Sequence, residues 1–232
     1  MYTNIFERVE QKYLLTREQY DNLMSLINNK IEKDIYYKST ICNIYFDSDN
    51  YDLVVNSLEK PVYKGKVRLR SYDVPNIESK VFLEIKSKYE GVVGKRRIAL
   101  TLKDFYEYLE SGEIKESNKQ IMKEIDYYFK LYNLKPKMFL AYDRLSFYAK
   151  DNKDFRITFD GNVRSRENNL RLEDGDYGNT YFDDETYIME LKSLGSIPLW
   201  LTKILAKLKI YPTSFSKYGQ IYSKKVKEGI YV

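Results

Sequence analysis

From Lys64 to Arg70 every even-numbered residue is a cation, Lys64, Lys66, Arg68 and Arg70, whereas Val67 and Leu69 stand at odd positions. Side chains alternate between the two faces of a strand, so this segment predicts a strand with one basic face and one apolar face. The pattern recurs along the chain. Glu84, Lys86 and Lys88 alternate with Leu83 and Ile85, Arg156, Thr158 and Asp160 with Phe155, Ile157 and Phe159, and Glu190 and Lys192 with Met189 and Leu191. Near the N-terminus Arg8, Glu10 and Lys12 share a face with Val9 and Tyr13 behind them, although Glu7 and Gln11 blur that second face. Whatever fold this chain adopts must therefore hold a sheet whose two faces differ in charge.

Turn and periodicity signals place the remaining elements. A first strand near Phe6 to Leu14 runs into a helix from about Arg17 to Asn28, where Thr16 and Gln19 have capping-box spacing and Leu23, Leu26 and Ile27 form an apolar stripe. Strands follow at Thr40 to Phe46, Val62 to Tyr72, Val81 to Tyr89 and Val92 to Leu100, with a short helix at Tyr51 to Leu58. The last two strands, joined at Glu90-Gly91, are expected to form a hairpin. Helices near Lys103 to Glu110 and Lys119 to Tyr132 should cover one side of the sheet. Strands return at Lys137 to Ala149, Phe155 to Gly161 and Thr186 to Leu194, and Pro198 opens a helix whose Leu201, Ile204, Leu205 and Leu208 share one face. The acidic stretches Glu173-Asp174-Gly175-Asp176 and Asp183-Asp184-Glu185 lack the spacing of a calcium loop and read as solvated. With no linker, repeat or low-complexity tract, residues 1–232 read as a single domain.

Composition narrows the chemistry mainly by what is missing. There is no histidine, which removes histidine nucleophiles, histidine bases and histidine-ligated metals. Cys42 is alone, so no internal disulfide or cysteine metal cluster can form, and its apolar surroundings Ile41 and Ile44 suggest an inert packed thiol, compatible with a reducing cytoplasm. No apolar run approaches the roughly 18 residues that a membrane span needs, and Met1 to Val9 lacks a signal peptide's apolar core, so the chain reads as soluble and cytoplasmic. A membrane role would need a partner. The 39 basic and 34 acidic residues leave a formal charge of +5, which hints at an anionic ligand without fixing one.

The pattern allows two readings of the charged faces. A half-buried antiparallel sheet could turn them to water, where cross-strand ion pairs form. Alternatively, the sheet could close into a barrel with the charges inside and the helices around its apolar outside. Neighbours on one face of a strand stand about 6.8 Å apart, a spacing at which cations could meet successive phosphates of a linear chain.

Several segments resemble, in order, the motifs of one family. Arg8-Val-Glu10-Gln-Lys12-Tyr13 is similar to the opening strand of the VTC domain, a relative of the ExExK motif of CYTH-type triphosphate tunnel metalloenzymes. Lys66-Val-Arg68-Leu-Arg70 resembles the family's basic strand and Phe82-Leu-Glu84-Ile-Lys86 its charged neighbour. Tyr142-Asp143-Arg144 and Phe155 to Asp160 resemble later basic strands, Ile188-Met-Glu190-Leu-Lys192 the metal-binding strand, and Ser214-Phe-Ser216-Lys217-Tyr218 a C-terminal phosphate-binding segment.

What the resemblance implies is an α+β fold, a closed antiparallel β-barrel of about eight strands forming a triphosphate tunnel, with flanking helices. It also implies a polyphosphate polymerase that moves the terminal phosphoryl of ATP onto a growing chain with Mn or Mg. By the same resemblance Arg68, Arg70, Arg144 and Arg156 would hold phosphate oxygens, Lys12, Lys86 and Lys217 would act as point charges, and Glu190 would hold the metal. Arg8, Glu10, Lys66, Glu84, Lys88, Arg97, Lys192, Ser214 and Ser216 complete the expected substrate contacts. Arg8 stands where ExExK has its first Glu, which removes a metal carboxylate and favours the polymerase branch over triphosphatase or cyclase. For Glu10 and Glu84, help to the metal and a salt bridge to a neighbouring cation both remain open. For Lys64, Lys66, Lys95 and Arg97, so do phosphate contact and a solvated or steering charge. ATP and polyphosphate are the expected partners. A hydrolase of short polyphosphate and a non-catalytic polyphosphate-binding module are the rival readings, and nucleic acid is disfavoured because no RNP, KH or helix-turn-helix pattern is present.

Overall fold

The computed structural model of this protein describes residues 8–59, 61–90, 92–113, 119–182 and 185–231. Glu7, Gly91 and the Asp183-Asp184 pair lie outside them, as does the side chain of Arg8. The strands are β1 (Arg8–Thr16), β2 (Ile31–Asp47), β3 (Tyr63–Tyr72), β4 (Lys80–Tyr89), β5 (Val92–Thr101), β6 (Lys135–Ala149), β7 (Arg156–Arg166), β8 (Asn179–Thr180) and β9 (Thr186–Leu194). The helices are α1 (Arg17–Ile27), α2 (Asp52–Leu58), α3 (Leu102–Ser111), α4 (Lys119–Tyr132), α5 (Leu199–Lys207) and α6 (Lys217–Lys227).

Most elements fall where periodicity and caps predict. At the start of α1 the Thr16 side chain accepts from Gln19 N–H while the Gln19 side chain returns to the Thr16 N–H, the reciprocal box its spacing implies. The β4–β5 hairpin forms with Tyr89 opposite Val92, and Glu90 takes a left-handed φ of 45° to turn the chain. β2 is longer than its apolar core suggests, because Ile31–Ser39 continues as strand without an apolar alternation to announce it. Helix α6 is likewise absent from the sequence-based expectation.

The expected closed barrel does not form. Among the described residues the sheet has nine strands in the order β1-β9-β7-β6-β2-β3-β4-β5, with β8 on β7, so β1 and β5 end an open path instead of pairing. One end is already occupied along part of its edge: Tyr13 bridges Pro212, and Lys12 C=O accepts from Thr213 N–H. Alternation tells which face a residue takes, but closure depends on edge pairing, which alternation does not carry. The fold is α+β, an open antiparallel sheet with flanking helices.

The chain divides into two compact units, each with its own apolar cluster. The first comprises the described residues of Met1–Ser39, Tyr142–Val163 and Thr180–Phe215. Its core packs Leu23 and Ile27 of α1, Leu201 and Leu205 of α5, and Ile157, Phe159, Met189 and Leu191 from the apolar faces of β7 and β9. The second comprises Thr40–Ala141, Arg164–Asn179 and the described part of Ser216–Val232. There Val67, Leu69, Leu83 and Ile85 pack against Phe105 of α3 and Met122 and Ile125 of α4. Gly65 belongs to that covered face, and a Cβ there would lie 2.9 Å from the Tyr128 ring, which explains a glycine in the middle of β3. In both units the predicted apolar faces are the buried ones. Cys42 is fully buried, and burial pushes its thiol up to about 12, which makes it the inert group its surroundings suggest.

Candidate functional site

Antiparallel register places the second unit's charges in rows across β2–β3–β4–β5. Tyr45 pairs with Arg68, Arg68 with Glu84 and Glu84 with Arg97. The next row runs Lys66, Lys86, Lys95, and on the other side Asn43 pairs with Arg70. Glu84, only 1% exposed, is the hub. Arg68 reaches Glu84 Oε2 from Nε at 2.7 Å and from Nη2 at 2.7 Å. Lys95 Nζ lies 2.8 Å and Arg97 Nε 3.3 Å from Glu84 Oε1. Burial by itself would raise the Glu84 carboxyl, but Arg68, Arg70 and Lys95 outweigh it and hold the group down at about 2.

Neighbouring polar groups set the other cations of this row. Arg70 Nε donates to Asn43 Oδ1 at 2.8 Å, and Asn43 Nδ2 donates to Leu140 C=O at 3.0 Å, so the buried guanidinium is oriented through a buried amide. Arg97 also lies 3.5 Å over the Phe82 ring. Lys66 Nζ donates to Ser216 Oγ at 2.7 Å, and the same oxygen caps α6 by accepting from Gly219 N–H. Lys217 opens α6, Lys86 is half-buried, and Lys88 is exposed near the end of β4. Lys64 donates to Ser57 C=O at 3.2 Å.

The first unit carries a separate cluster around Glu190, which is 7% exposed. Register sets Lys12 opposite Glu190 and Glu190 opposite Thr158, with Glu10, Lys192 and Arg156 in the adjoining row. Glu190 Oε1 lies 3.7 Å from Lys12 Nζ, and Oε2 lies 3.4 Å from Arg144 Nη2 and 3.2 Å from Lys192 Nζ. Arg144 is held by Asp160 through two parallel bonds, Nε to Oδ1 at 2.6 Å and Nη2 to Oδ2 at 2.7 Å. Burial would lower the Arg144 pKa, yet the Asp160 charge reverses this and raises it well above the ordinary value. Lys12 also donates to Phe215 C=O at 3.1 Å and lies 3.7 Å from Glu10.

Not every expected residue joins a cluster. Arg156 turns to the buried Asp34, with Nη2 2.7 Å from Oδ2, and Ser214 is exposed beside the Thr213 segment that lines β1. Sequence reasoning missed Asn43, Tyr45, Asp34 and the holding role of Asp160. The alternation Asn43-Ile44-Tyr45-Phe46-Asp47 contains the signal for the first two, but a tyrosine belongs as readily to a core as to a polar face.

A metal must fit this donor set. Among the described residues no group of three or more acidic, cysteine or histidine side chains gathers to hold an ion. Glu190, with three cations about it, can hold a hard divalent ion only together with anionic oxygens of a substrate, which is how Mg and Mn are held in phosphate complexes. The residues fit a metal–phosphate complex and not a protein-only cage. No helix among the described residues is long and apolar enough to cross a membrane.

A family model described as "VTC domain" matches residues 7–225. No curated protein matches the chain. Among solved structures, a Vibrio parahaemolyticus protein provisionally described as an adenylate cyclase superposes with a TM-score of 0.52 at 11% identity, over 93% of this chain and 97% of that one. PH1819 from Pyrococcus horikoshii OT3 gives a TM-score of 0.47 at 16% identity, over 94% of this chain and 99% of its own. At 11% identity the first likeness concerns the fold alone.

Proposed function

The chain belongs to the VTC domain family, and from that premise we propose that it is a polyphosphate polymerase, one that transfers the terminal phosphoryl of ATP onto a growing chain in the presence of Mn or Mg. Residues 1–232 work in this reading as one catalytic domain of the cytoplasm. The observation that carries it, beside the family match over residues 7–225, is the set of pre-oriented guanidinium groups on charged strand faces, Arg68 on Glu84, Arg70 on Asn43 and Arg144 on Asp160.

Phosphoryl transfer asks little covalent chemistry of a protein. Alignment of nucleophile and leaving group, with neutralisation of the charge on the equatorial oxygens, supplies most of the acceleration, and a chain without histidine can do both. Arg144, already clamped by Asp160, loses little rotamer freedom when it takes a phosphate oxygen, and Arg68 and Arg70 are restrained likewise. Lys12, Lys86, Lys192 and Lys217 add point charges, and Ser216 positions Lys66 and the start of α6. Glu190 would hold the ion, which when bound with phosphate supplies further neutralisation of the transferring group.

Incubation with ATP and Mn tests this. The expected products are ADP and a long acid-labile polymer. Orthophosphate released from tripolyphosphate without polymer would point to a hydrolase, and binding without turnover to a passive module. Glu190→Gln should lower turnover at least about a hundredfold, the scale typical for loss of one group that stabilises transition-state charge. Tripolyphosphate affinity in that variant should be kept or increased, because Lys12, Arg144 and Lys192 lose a competing carboxylate.

A further inference from the structure

We propose that the Tyr45 hydroxyl is a direct hydrogen-bond donor to the phosphate gripped by Arg68 and Arg70, and that it makes this grip proton-dependent. The proposal rests on the reading that these arginines hold phosphate. Tyr45 is paired in register with Arg68, one strand away on the same face, and its neighbour on that face, Asn43, already orients Arg70. Its ring lies flat on that of Tyr218 of α6, centroids 4.7 Å apart and planes 19° apart, which fixes where the hydroxyl points. Tyr218 is anchored in turn by donating to the buried Asp47 at 3.0 Å, a carboxylate that also accepts from Ser48, Leu53 and Val54 N–H.

The hydroxyl oxygen accepts from Arg68 Nη1 at 3.3 Å, and no group among the described residues accepts its proton. A phenol that accepts from a guanidinium and has a proton left to give matches a phosphate oxygen, an acceptor held by the same guanidinium. Burial alone would raise the tyrosine pKa. Instead Arg68 and Arg70, the Arg68 hydrogen bond and Lys66 outweigh burial and bring it down to about 8. Of the acidic groups facing it, Glu84 behind Arg68 sits at about 2, and burial and Asp47 push Tyr218 far up. Above that value the empty site therefore holds a phenolate, which competes with phosphate for Arg68. Binding must then take up a proton, and by linkage the affinity falls as pH rises through the tyrosine's titration.

Tripolyphosphate binding near pH 7 and pH 9 tests this in wild type and Tyr45→Phe. Ionisation of tripolyphosphate and of lysines is common to both proteins, so their difference isolates Tyr45. The loss of affinity between the two pH values should be about tenfold greater in wild type, the ratio that a free-site pKa near 8 dictates. Tyr218→Phe, which keeps the stacked ring but not the Asp47 bond, should retain the wild-type pH dependence. A purely orienting role for Tyr45 would weaken binding at both pH values and leave their ratio unchanged, which would overturn the proposal. A second readout needs no variant: tripolyphosphate added to wild type at pH 9 should diminish the tyrosinate absorbance and draw a proton from the buffer, and absence of both would also overturn it. Wild type that fails to bind tripolyphosphate near pH 7 defeats the phosphate reading itself, an outcome distinct from binding with an unaltered pH ratio.

Discussion

Glu84 shows how one residue decides the character of a strand face. Without Arg68, Lys95 and Arg97 it would be a costly buried anion; with them it offsets part of the repulsion among three cations held at short range. Its carboxyl falls from an ordinary 4.5 to about 2, so the unfolded chain binds more protons than the folded one between these values. The stabilisation is therefore complete above about pH 4.5 and is lost as pH falls through about 2, amounting to about 3 kcal/mol by linkage. Glu84→Gln should lose a similar amount at neutral pH, on the order of 3 kcal/mol for a broken buried pair, and the gap to wild type should close on acidification. Urea melts of both proteins from pH 6 down to pH 2 check this, and a gap independent of pH would sink it. Parity in the sequence puts Glu84 on the face of the cations, but it cannot say which cations it meets, because that depends on register between strands. Register brings Glu84 to Arg68, Lys95 and Arg97, the ion pairs that were one of its two expected roles.

At the scale of elements, the strands and helices with strong periodicity were legible, and those fixed by distant contacts were not. Helix α6 has a polar surface and charged last turn that hide its buried residues Tyr218, Gly219, Ile221 and Tyr222. The acidic stretch after β7 misleads in the same way, since Glu173 and Asp176 are not simply solvated. Glu173 accepts from Tyr106 and Arg171, and Asp176 is bonded by Arg164. The loop is organised by Arg166, which donates to the carbonyls of Asn169, Arg171, Gly175 and Tyr177 and is stacked 3.5 Å from Phe139 and 4.3 Å from Tyr177. An ammonium cannot reproduce that planar fork, so Arg166→Lys should cost about 2–4 kcal/mol through several unsatisfied carbonyls at once. Urea denaturation measures the loss, and faster amide exchange within residues 167–179 would locate it. If stability stayed within about 0.5 kcal/mol of wild type, the level of an ordinary surface change, the loop's order would have to come from elsewhere.

For the whole molecule, closure was the expectation that failed, and the reason bears on how ligands arrive. Alternation of charge along single strands is a local property, whereas a barrel needs its first and last strands to pair, and here β1 and β5 end an open sheet. The total charge is also a poor guide to the charged faces. With 39 basic and 34 acidic residues the net +5 gives only a weak long-range field, and many of the cations on those faces are already matched by Glu84, Asp160, Asp34 and Glu190. On the proposed function, attraction for a phosphate chain would be a short-range effect of oriented guanidinium groups, felt inside the roughly 10 Å Debye length of 0.1 M salt. Raising KCl from 50 to 500 mM should accordingly weaken tripolyphosphate binding mostly through faster dissociation, while the association rate changes by less than about tenfold. Stopped-flow or biolayer kinetics at several salt concentrations separate the two rates. An association rate that fell steeply with salt, with dissociation unchanged, would mean that the field of the whole chain steers the ligand and that the local pairing described for Arg68 and Arg144 is not what holds it.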